Sequence, residues 1–148
     1  MNQLTDELKG KLKGLRRFNG TMGVLHLFQA ALMLYLSSDF TLPITTTNLV
    51  SRPIGRPELA TEVLADIRLG PLVALFLLIS AVAHFAVSTV LSDWYSKKLK
   101  NHINPARWVE YTFSASIIIV IIAMLTGIFD LATLLLLFTL NATMIWFG

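Results

Sequence analysis

Residues 108–126 read WVEYTFSASIIIVIIAMLT, a largely apolar run that carries one carboxylate, Glu110, near its head. An ionised carboxylate is costly in hydrocarbon, so a side chain like this faces protein or water and marks a functional position. The rest of the chain is read by asking which residues can face it. With 14% charged residues, 55% hydrophobic residues and a mean hydropathy of +0.67, the 148-residue chain is too apolar for a soluble domain. A single transmembrane domain is expected, all-α in class.

Four spans are expected: 18–36, 69–91, 105–129 and 131–148. The first contains 19 residues without a charge, close to the ~20 needed to cross ~30 Å of hydrocarbon. Its Asn19, His26 and Gln29 stand seven and three apart and so share one helical face. Ser80, His84 and Ser88 form a similar stripe on the second span. In the third, Asn104 and Pro105 suit a helix start, and Arg107 and Ser114 lie on the same side as Glu110. The strongly polar residue of the fourth is Asn141.

The connections carry the charge. Residues 37–68 are too polar to cross: 40–50, interrupted by Pro43, suit a small β-hairpin, and 57–68 (PELATEVLADIR) read as a short amphipathic helix. Residues 92–104 form a second basic loop. Eight of the twelve Lys and Arg residues lie in the amino-terminal leader and this loop, and Arg107 follows the loop directly, which makes both segments cytoplasmic and 37–68 extracellular. The amino terminus and Gly148 then face the cytoplasm. The net charge of +3 comes from basic clusters beside apolar runs, pointing to lipid headgroups and not to nucleic acid. The leader lacks a small-residue cleavage pattern, so no removable signal peptide is read. Cysteine is absent, which removes thiol nucleophiles and thiolate metal sites; the two span histidines lack close ligand spacing, and no metal or catalytic centre is assigned.

Counting ~1.5 Å per residue from each cytoplasmic end puts His26 and His84 at ~13 Å, Glu110 at ~8 Å and Asn141 at ~10 Å or more. Four helices thus send polar groups towards one layer. A carboxylate with two imidazoles in a hydrated pocket can relay protons, or it can neutralise a buried cation. Each group also has a plainer role open to it: histidine and asparagine as interhelical hydrogen-bonders, Glu110 as an interfacial partner of Arg107, serine as a satisfier of its own backbone. All six lysines lie in the basic surface segments, so no buried cation is encoded to pair with Glu110. The chain also stops at TMIWFG without a polar tail, and is expected to be an amino-terminal piece of a longer protein or to receive further helices separately.

GLRRFN and LHLFQ in the first span, LGPLVALFLLISAVAHF in the second, NPARWVEYTFSAS in the third and LNATMIWFG in the fourth resemble the heliorhodopsins across nearly the whole chain. The resemblance implies the first four helices of a seven-helix retinal protein with a β-ribbon in the first extracellular loop. It implies a homodimer that binds all-trans retinal through a lysine in the seventh helix, outside this chain. Glu110 is then the counterion of the protonated Schiff base, and His26, His84, Gln29 and Ser80 belong to a hydrated polar cluster. Tyr111, Ser114, Asn141 and Met144 match retinal-pocket positions. The implied activity is light-driven signalling to an unidentified cytoplasmic partner, without catalysis. From the residues alone, a proton-coupled transporter or channel subunit with a Glu/His relay is the other reading, and a purely structural four-helix subunit a third.

Overall fold

The computed structural model describes residues 2–51 and 56–147. Five helices and one two-stranded sheet follow in the order α1 (Asn2–Leu36), β1 (Thr41–Val50), β2 (Glu58–Arg68), α2 (Leu69–Ser88), α3 (Ser92–Lys100), α4 (Pro105–Leu125) and α5 (Leu131–Phe147). The packing follows chain order, α1 against α2, α2 against α4 and α4 against α5. Gly148 and Arg52, which entered the orientation argument, lie outside the described residues.

Helix ends are set locally. Asn104 caps α4 by accepting a hydrogen bond from the Arg107 amide at 3.2 Å, and Pro105 occupies the first turn, where a missing amide costs nothing. At its other end, Gly127 adopts φ +94° while its amide bonds Met124 O and the Ile128 amide bonds Ala123 O. This paired reversal needs a left-handed residue, which glycine supplies without steric cost. His102 takes the same role after α3 at φ 58°, with amide bonds from His102 to Leu99 O and from Ile103 to Lys98 O. Asp130 opens α5 by accepting from the Thr133 amide and hydroxyl, both at 2.9 Å. These bonds hold its carboxyl below the usual carboxylate range, the amide contributing most.

Residues 57–68 correct the sequence reading. PELATEVLADIR forms strand β2, not an amphipathic helix, and 40–50 make one strand instead of folding on themselves. The strands pair antiparallel from Thr41 opposite Arg68 to Val50 opposite Glu58, with an irregularity between Ile44 and Thr45. Glu, Leu and Ala favour a helix in isolation, but ladder bonds to the β-branched β1 override that small preference. Leu42, Ile44 and Ile67 of the sheet pack onto a core of Ala123, Met124 and Leu134. The sheet is further fixed by the Thr45 amide bonding Phe129 O at 2.8 Å. Residues 92–100, expected as loop, form the short helix α3.

Among the described residues, α2 and α4 are long and apolar enough to cross a membrane. Only 22% and 28% of their most apolar windows are buried, so they are not the core helices of a soluble domain. Their outward faces expose Val82, Val109, Phe113 and Ile122, large apolar side chains that a bilayer would cover. The apolar α5 is shorter, at 17 residues.

Candidate functional site

The site forms where α1, α2 and α4 meet, and small residues make the approach possible. Gly23 on α1 lies so close to the Phe85 ring that an added Cβ would stand 2.9 Å from it. Ala81 and Ala74 of α2 are also buried, keeping that helix narrow.

Glu110 enters from α4, one and a half turns past the Asn104 cap, and meets Ser80 of α2. The Ser80 hydroxyl donates to Glu110 Oε1 at 2.6 Å, a length typical of a hydroxyl bonded to a charged carboxylate. One turn along α2, His84 Nδ1 lies 2.9 Å from Asn19 Oδ1 on α1. The Asn19 amide nitrogen is committed to Leu15 O at 3.1 Å, so Oδ1 is the acceptor and His84 Nδ1 carries the proton. His84 Nε2 is therefore the atom that can gain or lose a proton. The His26 ring stacks on that of His84, with centroids 5.4 Å apart and planes inclined by 17°. His26 Nδ1 in turn meets Gln29 Oε1 at 3.1 Å. Glu110, His84, Asn19 and Tyr111 line one cavity of ≈ 140 Å³, large enough for ordered water.

Two residues singled out in the sequence, Asn141 and Met144, fall elsewhere. Asn141 does not reach Glu110: its amide donates to the Ser116 hydroxyl at 3.0 Å, six residues further along α4 and thus ~9 Å away along the axis. The depth count gave Asn141 only a lower bound, and the bond to Ser116 sets it deeper than Glu110. Met144 lies with Asn141 on a separate apolar cavity of α4 and α5 and is largely exposed. Ser114 is buried one turn after Glu110. The Arg107 guanidinium sits 4.8 Å from the centre of the Tyr111 ring, a cation–π contact, and both residues line the cavity of Glu110. Ser116, fully buried, was missed; the signal for it was Asn141, whose amide demands a polar partner on the neighbouring helix.

A carboxylate fixed by a hydroxyl, sharing a small cavity with one imidazole of a stacked pair, is suited to balancing a cation. The family model for heliorhodopsins matches residues 15–148. The chain belongs to the heliorhodopsin family. No curated protein matches it. Heliorhodopsin membership, with the two apolar helices, makes this a membrane protein, and it implies a retinal chromophore. The residues present fit such a group: Glu110, oriented by Ser80, supplies an anion for its cationic end.

Proposed function

We propose that this chain forms the light-sensing half of a retinal-binding photoreceptor of the heliorhodopsin type, with Glu110 as counterion to the charged end of the chromophore. The observation that carries this is the 2.6 Å bond from Ser80, which orients a carboxylate at a cavity shared with His84. When bound, retinal supplies absorption of visible light and isomerisation.

Glu110 balances the positive charge, and Ser80 holds Oε1 in one orientation. His84, its Nδ1 proton engaged by Asn19, offers Nε2 to take or release a proton as the charge in the cavity changes. His26, stacked on the His84 ring, places the second imidazole of the cluster directly against the first. His26, Gln29 and Ser80 complete the polar cluster, and Tyr111, Ser114, Asn141 and Met144 contribute to the pocket. All six lysines lie outside α2, α4 and α5, at Lys9, Lys11, Lys13, Lys97, Lys98 and Lys100; in this reading the lysine that bonds all-trans retinal is the one the family implies, in a seventh helix outside residues 1–148.

In this reading the chain crosses the membrane four times, through residues 18–36 of α1 and through α2, α4 and α5. The amino terminus and α3 are cytoplasmic and the β1–β2 sheet extracellular, as the clustering of Lys and Arg favours. The protein works as a homodimer, without catalytic turnover, and signals to a cytoplasmic partner instead of pumping ions. The test is to add all-trans retinal to membranes holding the complete protein. A visible band, with no sustained proton flux on illumination of vesicles, is expected; the lack of any band overturns the proposal. The His26–His84 stack gives the proton-coupled transporter its best support. That reading requires a retinal-independent, pH-dependent flux abolished by His84→Ala.

A further inference from the structure

At the polar end of α1 and α2, a second cavity of ≈ 540 Å³ opens between α1 and α3. Among the described residues its walls carry Lys9, Lys13, Arg16, Lys97 and Lys100, and the acid Asp93. Three bases in the last turn of α3 would be expected merely to complement the helix dipole. Two of them instead turn to a concavity whose other wall is the basic face of α1. Arg16 is fixed there, its Nε donating to Ser88 O at 2.6 Å at the end of α2. Tyr95 and Ser96 add hydroxyl groups to the lining.

Such a cradle matches a phosphate group, which several ammonium and guanidinium donors can surround at once. The source of that phosphate follows from what adjoins the cavity. Val87 lines both this cavity and an apolar groove of ≈ 580 Å³ between α2 and α4, bordered by Leu91, Trp94, Val109 and Phe113. A polar cradle at the end of apolar helices, beside an apolar channel with a tryptophan at its rim, accommodates a headgroup and an acyl chain together. A free anion would use only the first.

We propose that the α1–α3 cavity is a binding site for the phosphate headgroup of an anionic phospholipid, with an acyl chain along the α2–α4 groove. Lys13, Arg16, Lys97 and Lys100 make the charge contacts. The site requires only that the helices cross a bilayer. It is independent of the photoreceptor reading and of which leaflet it faces.

The test is native mass spectrometry of the complete protein, purified in detergent and titrated with phosphatidylglycerol, phosphatidylcholine or inorganic phosphate. Phosphatidylglycerol should be retained in preference to phosphatidylcholine. Lys97→Gln and Lys100→Gln should each weaken retention roughly fivefold, as expected for a cation at the membrane surface. Lys98→Gln removes the same charge from the same helix but does not line the cavity, and should leave retention unchanged. Asp93→Asn should strengthen it. Equal retention of the two lipids, or an equal loss in Lys98→Gln, would overturn the site. Displacement of phosphatidylglycerol by an equal concentration of inorganic phosphate would overturn the lipid as its occupant. Circular dichroism of each variant separates loss of the site from loss of the fold.

Discussion

The Ser80 hydroxyl and the Glu110 carboxylate, on α2 and α4, are joined by a 2.6 Å hydrogen bond that ties two apolar helices together at the level of the polar cavity. A bond to a charged group contributes about 1.5–3 kcal/mol. Ser80→Ala should therefore lower the denaturation midpoint of the protein. It should also move the visible band in the same direction as neutralising Glu110, but by less, since the charge remains. Absorption spectra and thermal melts of the variant check both.

Asn19 determines which nitrogen of His84 carries the proton. In the unaltered protein, nitrogen NMR of labelled histidine should report the Nδ1–H form for His84. Asn19→Ala removes the acceptor, and a mixture of the two tautomers is the expected result. An unchanged tautomer would mean that another group sets it.

Asp130 gives a pH dependence away from the spans. The Thr133 amide and hydroxyl hold its carboxyl below the ordinary value, so its folded pKa lies under its unfolded one. The stabilisation it provides is fully present above the unfolded value of about 3.9 and is lost as pH falls through the folded value. Melting midpoints of the unaltered protein should fall over that acidic window. Asp130→Asn should flatten this part of the profile while keeping α5 capped, because asparagine also accepts from the Thr133 amide.

At Gly23, α1 lies close against the Phe85 ring of α2. An added methyl would meet the Phe85 ring at 2.9 Å, and overpacking of this kind costs about 1–3 kcal/mol. Gly23→Ala should lower the melting midpoint and, one turn from His26, loosen the stack on His84. The imidazole resonances measure the second effect independently of the first.

What the chain's residues disclose differs from part to part. Glu110 stood out because one carboxylate on an apolar run has few tolerable environments, and the Asn104–Pro105 start of its helix is decided within four residues. The polar faces of α1 and α2 were legible for the same reason, since spacings of three, four and seven select one side of a helix. Residues 58–68 were not, because their composition favours a helix and only pairing with 41–50 makes them a strand. Nor was the Ser116–Asn141 bond: the relative height of α4 and α5 depends on the turn at Gly127 and the packing of Met124 on Leu134, which no local pattern records.

The account stands or falls on Glu110 as the balancing charge. Replacing it by glutamine keeps the shape and removes the anion, and the absorption spectrum of the retinal-bound protein reads the result directly. A carboxylate stabilises a positive charge held near it more in the ground state than after light has moved that charge away, so Glu110→Gln should shift the visible band to longer wavelength. A band of the same wavelength, in a variant that still binds the chromophore, would contradict the assignment.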